Sequence, residues 1–187
     1  MRPILAALFV LFAATAPVPA PAETKSATNP PPAGSQPFES EAAAVAAVKG
    51  WVERLGFAAE SSTSGSLPVL SLTAPMTNAT HHVRMVIDAK RDMIYIFINR
   101  YLTVPTTNPN CGAVLRELMK KNWDFNIGKF EWDPSDGEVR YSYCFTTENG
   151  IGFEAFRAIV STLLATGDKY WPELKKVADA GQPSGGK

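Results

Sequence analysis

The amino-acid sequence predicts an α+β domain, an antiparallel sheet of about five to six strands packed with three helices in the order α-β-β-β-α-β-β-α. Three observations predict it. Apolar residues recur at spacings of three and four in three separate segments, which is the period of a helix face. Runs rich in Val, Ile, Leu and aromatic residues lie between those segments and read as strands. The shortest polar links between these runs leave no room for a parallel crossover, so neighbouring strands run antiparallel.

The first helix covers Phe38 to Leu55, where Val45, Val48, Val52 and Leu55 mark one face and Gly56 is a natural stop. Strands follow over Leu67 to Thr73, His82 to Asp88 and Met93 to Thr103, and Asp88-Ala89-Lys90-Arg91-Asp92 is a hairpin link. Asn108-Pro109 opens the second helix, because proline in a first turn costs no hydrogen bond. Val114, Leu115, Leu118 and Met119 form its apolar stripe up to Asn122. Phe130 and Trp132, then Val139, Tyr141, Tyr143 and Phe145, alternate with polar residues around Asp133-Pro134-Ser135-Asp136-Gly137, as a hairpin with an aromatic face does. Phe153, Phe156, Ile159, Val160, Leu163 and Leu164 set the last helical period, carried on by Tyr170, Trp171, Leu174 and Val177. Pro172 is expected to break or kink that helix.

The strand Met93 to Ile98 is apolar on both sides. Met93, Tyr95 and Phe97 share one face, and Ile94, Ile96 and Ile98 share the other. Both faces therefore need cover, from helices of the same chain or from a second molecule. Ile94, Ile96 and Ile98 are the candidate partner or dimer face. Burying them would stabilise an assembly by about 5 to 8 kcal/mol before ordering costs.

The amino terminus has the pattern of an export signal. Arg2 precedes an apolar stretch from Ile4 to about Ala14, and Ala20-Pro21-Ala22 is a small-x-small cleavage site before Glu23. A membrane anchor would need about 20 consecutive apolar residues, and Thr15 and the prolines interrupt this run well short of that. The expected organisation is a signal peptide at 1–22, a Pro-rich flexible linker at 23–37, the folded domain at 38–178 and a Gly- and Ser-rich disordered tail at 179–187. The expected location is periplasmic or secreted, with no membrane span after signal removal.

Eighteen Lys and Arg residues balance eighteen Asp and Glu residues, so no net charge advertises nucleic acid or an anionic membrane. Cys111 and Cys144 are the only cysteines. One reading is a single disulfide, which closes a loop of about 33 residues and contributes on the order of 3 kcal/mol; the other is two separate buried thiols. Neither cysteine sits in a CxxC pair, which argues against a thioredoxin-like site.

Chemistry is sparse. His81 and His82 are adjacent at the start of a strand, so their side chains point to opposite faces and do not readily share a metal. No G-x-S-x-G elbow is present, and Gly150-Ile151-Gly152 lacks the third glycine of a dinucleotide loop. Asn78-Ala79-Thr80 fits a glycosylation triplet, a pattern common by chance. Asp133, Asp136 and Glu138 are explained by the turn they occupy. No cofactor, metal or catalytic residue is expected.

A resemblance to a known family rests on particular residues. Leu118-Met119-Lys120-Lys121-Asn122, Phe125, Gly128-Lys129-Phe130, Asp133 and Gly137-Glu138-Val139-Arg140-Tyr141 are followed by Leu163-Leu164-Ala165-Thr166 and Asp168-Lys169-Tyr170-Trp171-Pro172-Glu173-Leu174. Together, over about Phe38 to Val177, they resemble the YbjN family, whose members look like type III secretion chaperones. The resemblance implies a non-enzymatic module that binds a protein or peptide partner and often self-associates, as a homodimer for instance. Two other readings stand beside it. One is a small-ligand carrier with an apolar cavity; the other is a hydrolase assembled around His82, Asp88 and Asp92.

Overall fold

Why these segments fold as they do is visible in a computed structural model that describes residues 37–180. Ser40 caps α1 (Glu41–Arg54) by accepting a hydrogen bond from the Ala43 N–H at 3.1 Å, and Ala44, Val48 and Val52 form its buried stripe. Four antiparallel strands follow: β1 (Glu60–Ser64), β2 (Leu67–Pro75), β3 (Thr80–Asp88) and β4 (Met93–Thr103). Next come α2 (Cys111–Asp124), the hairpin β5 (Lys129–Trp132) and β6 (Glu138–Thr146), and α3 (Phe153–Asp179). The sheet has six strands in the order β1-β2-β3-β4-β6-β5, every pair antiparallel. The α+β class and the three helices are as expected. The export signal, all but the last residue of the linker, and most of the tail lie outside the described residues.

β1 is the strand the apolar pattern does not announce. Its residues Glu60-Ser61-Ser62-Thr63-Ser64 are all exposed and none is apolar, so it has no core-facing period to detect. It exists because the two-residue link Gly65-Ser66 folds it back onto β2, with Ser64 opposite Leu67.

The helices share one side of the sheet. Their buried residues join a single cluster with Leu70, Val83, Met85 and Tyr141, and Ile94, Ile96 and Ile98 sit inside it at 1, 0 and 1 % exposure. The isoleucine face expected to meet a partner is thus covered by this chain's own helices. The opposite face, with Met93, Tyr95 and Phe97, is the one the helices leave bare.

Two further expectations are corrected. Helix α2 starts at Cys111 and not at Pro109, because Asn108 is buried. Its Oδ1 accepts from the Asn110 N–H at 2.8 Å, and its Nδ2 donates to the Ala178 carbonyl at 3.2 Å. Pro172 does not end α3, which runs 27 residues through it. A proline lacks the N–H that would serve the carbonyl four residues back, here Asp168. That carbonyl instead accepts from Asn78 Nδ2 at 3.1 Å, so a side chain ninety positions away supplies the missing donor. Close approach of α3 to β4 is permitted by Gly167, where an added Cβ would lie 2.4 Å from Ile98 Cδ1.

Candidate interaction surfaces and a cavity beside the β4 bulge

Helix α2 has two apolar aspects. Val114 and Leu118 go into the core, whereas Met119 and Trp123, one turn apart, are 67 and 90 % exposed. Leu118 and Met119 lie about 100° apart around the axis, and here only Leu118 is turned into the core. Met119 therefore leaves the stripe predicted for it. These two are the only large hydrophobic side chains exposed among the described residues.

The bare sheet face is a polar-aromatic network. Tyr95 and Phe97 lie 4.9 Å apart, and the Arg140 guanidinium is 4.8 Å from the Phe97 ring centroid. The Tyr95 hydroxyl donates to Glu131 Oε2, and burial together with that carboxylate pushes the phenol up to about 12. Arg140 Nη2 donates to Glu138 Oε2 at 2.6 Å and holds the Glu138 carboxyl below the usual carboxylate range. Glu138 Oε1 in turn accepts from the Arg100 N–H at 3.0 Å.

The two sheet edges differ. At β5, Asn122 accepts from the Phe130 N–H at 2.7 Å and donates to the Phe130 carbonyl at 3.0 Å, taking the place of a neighbouring strand. β1 has no such cover from the described residues, and its outer groups face water beside polar side chains.

Arg100 interrupts β4. Its φ of 47° is left-handed, and β4 pairs with β6 at Ile98↔Tyr141 and Leu102↔Val139, so three residues of β4 oppose one of β6. Beside this bulge lies a cavity of about 570 Å³ between the start of β3, the end of β4 and the last turns of α3. His81 is among its lining residues. It is 3 % exposed, it stacks on Tyr101 with ring centroids 5.9 Å apart, and its Nε2 has no hydrogen-bond partner. The nearest carboxylate, Asp168, is 3.7 Å from that nitrogen. Burial lowers the His81 pKa, and Asp168 offsets this in part. The Asp168 carboxylate is committed to the β2–β3 turn, accepting from the Asn78 N–H at 2.8 Å, the Ala79 N–H at 3.1 Å and Asn78 Nδ2 at 3.1 Å.

The residues singled out from sequence do not converge. His82 is exposed and its Nδ1 lies 3.2 Å from the Thr73 hydroxyl, with its ring on the face opposite His81. Asp88 is at the far end of the same strand, six residues or about 20 Å away, where it pairs with Arg91 at 3.0 Å. No site forms around His82, Asp88 and Asp92. Cys111 and Cys144 are free thiols: Cys111 packs against the helix-side core, while Cys144 is opposite Tyr95 on the bare face, so the sheet lies between them. Among the described residues no three His, Cys, Asp or Glu side chains are grouped to hold a metal, and no helix is long and apolar enough to cross a membrane. The cavity went unseen in the sequence because Arg100 is neither Gly nor Asn, the residues that usually flag a left-handed turn.

No protein-family model and no curated protein matches this chain. Solved structures match its fold. One is a chain in the crystal structure of the ExsC–ExsE complex, at 17% identity and a TM-score of 0.54, covering 72% of this chain and 95% of that one. Another is an uncharacterized protein from Methanothermobacter thermautotrophicus, at 12% identity and a TM-score of 0.52, covering 69% and 94%. A chain of the HopA1–SchA chaperone–effector complex matches at 11% identity with a TM-score of 0.48, covering 70% and 93%. The α+β arrangement of three helices and an antiparallel six-stranded sheet expected from the sequence is shared with that chain of the ExsC–ExsE complex.

Proposed function

We propose that the protein is an exported, non-enzymatic, chaperone-like module of the YbjN type that binds another protein. The observation that carries this reading is the Met119–Trp123 pair. A tryptophan left almost wholly in water beside an exposed methionine loses the hydrophobic stabilisation that burial of either would give, about 1.5–3 kcal/mol for the methionine alone. Such a patch is characteristic of a contact surface. Support comes also from the fold, shared with a chain of the ExsC–ExsE complex. The Arg2 to Ala22 segment supports export to the periplasm or beyond.

The test compares the full chain with a Met119→Ser/Trp123→Ser double variant. Both residues are exposed, so the urea midpoint should move little. The wild type should capture a discrete partner, or a second copy seen by light scattering, that the double variant does not. Identical captures and identical masses for the two proteins would remove α2 as the contact surface and with it the carrying observation. Amino-terminal sequencing of the protein recovered from the cell envelope or medium should begin at Glu23.

A further inference from the structure

The cavity beside Arg100 is a place where the sheet has come apart. β3 and β4 pair from Asp88↔Met93 to His82↔Asn99, and there the register ends. β3 continues two residues further, to Thr80, and β4 four further, to Thr103, without pairing to each other. Strand alternation says where their backbone groups point. The Val104 N–H donates to the Gly137 carbonyl at 2.7 Å and Leu102 is opposite Val139, so both turn toward β6. Thr103 therefore turns its N–H and C=O the other way, into the cleft, and so does the Tyr101 carbonyl, which opposes the Leu102 N–H across one peptide plane; β3 pairs with neither residue. Met76 and Ala79 are hydrogen-bonded across the β2–β3 turn, so Thr80 turns its own groups toward the cleft from the other wall.

A second observation is independent of the backbone. His81, more than nine-tenths buried, lines the same cavity with an unpartnered Nε2. Trp171 and Ala178 of α3 also line it. Of the charged residues around it, Arg100 and Lys175 outnumber Asp179 by one positive charge. Arg100 is spent only on a 3.9 Å contact with Asp136.

We propose that this cleft receives an extended peptide segment, which adds as a short strand to Tyr101–Thr103 and sets an acidic side chain against Arg100. The inference rests on the protein-binding reading above and names the chemistry of the partner. A main chain is the matching ligand because it offers donors and acceptors at the same two-residue repeat, about 6.8 Å, as Tyr101 and Thr103. A small molecule satisfies one such group and leaves the other bare. The free stretch of β4 is about 10 Å long, which admits three or four residues of a segment. The acidic side chain complements the surplus cation, and an apolar neighbour on the segment fits over Trp171.

The probe is a blocked hexapeptide alternating threonine and valine with one central glutamate, added to the isotope-labelled full chain and followed by NMR. The amides of Tyr101 and Thr103 and the His81 ring should shift on titration. Methylating alternate peptide nitrogens should weaken binding about tenfold or more, because it removes the donors that pair with β4. Replacing the glutamate with lysine should weaken it about three- to tenfold. Arg100→Asn, which suits the left-handed backbone, should abolish that preference and leave the fold intact. Equal binding of the methylated peptide, or the same shifts from butyrate alone, would overturn strand addition. Shifts confined to α2 or β1 would place the peptide site elsewhere while the protein-binding reading survives; no shift with any peptide, together with no α2-dependent partner, would remove both.

Discussion

Replacing Gly137 with alanine tests how tightly the β5–β6 turn is locked against the exit of β4. Gly137 has φ of 77°, a left-handed value that costs an L side chain roughly 1–2 kcal/mol. Its ideal Cβ would also lie 2.4 Å from Pro105 N and 2.5 Å from Pro105 Cα, both backbone atoms that cannot rotate aside. Overpacking of this kind adds about 1–3 kcal/mol, for a total of about 2–5 kcal/mol. Gly56, the residue after the C-cap of α1, is the internal control. It has φ of 88°, and its Cβ would meet nothing within 4 Å, so Gly56→Ala should cost only the conformational part, roughly 1–2 kcal/mol. Urea titrations of the full chain at 25 °C, followed by tryptophan fluorescence, read the two midpoints. With a slope of about 2 kcal/mol per M, Gly137→Ala should unfold roughly 0.5–1.5 M earlier than Gly56→Ala. Equal midpoints would refute the backbone collision and show that the turn gives way at no cost.

Other expectations follow from the buried polar groups. Asp168→Ala strips acceptors from the Asn78 and Ala79 N–H groups and should destabilise by about 2–4 kcal/mol in the same assay. Burial holds the His81 pKa below its ordinary 6.5, so in the window between the two values the unfolded chain holds the extra proton. The stability that neutral His81 contributes is complete above that window and is lost as the pH falls through it. Urea midpoints should thus decline as the pH falls through about 6.5 toward the lower folded-state value, less steeply in His81→Gln. The Asp168 charge raises the His81 pKa and the neighbouring His82 lowers it. An NMR titration of Asp168→Asn should therefore place the His81 midpoint lower still. Alkylation of the unreduced, unfolded protein should label both Cys111 and Cys144; a single mass lighter by two labels would mean that the thiols pair.

Much of the architecture was legible because period and turn chemistry agree. Val48 and Val52, the Asp88–Asp92 link and the Asp133–Gly137 turn each announce their element locally. What was not legible depends on long-range geometry. An apolar residue at every position from Met93 to Ile98 says that both faces need cover, but not which face the helices take. β1 carries no apolar residue to reveal it. The survival of α3 through Pro172 depends on Asn78, and nothing near Pro172 in the sequence points there. The candidate site was hidden for the same reason: Met119 fits a stripe by spacing alone, and the β4 run looks continuous across Arg100. The pairing of Cys111 with Cys144 was undecidable until the sheet was seen to separate them.

The amide of Asn122, which mimics a neighbouring strand along Phe130, has a consequence for assembly. Copies stacking side by side into a continuous ribbon need two free borders each, and this molecule keeps only the β1 border among its described residues. Joining through that border consumes it in both participants, so lateral growth ends at two. A single carboxamide thereby blocks lateral pairing at Phe130 and works against the open-ended polymerisation that leads to fibrils.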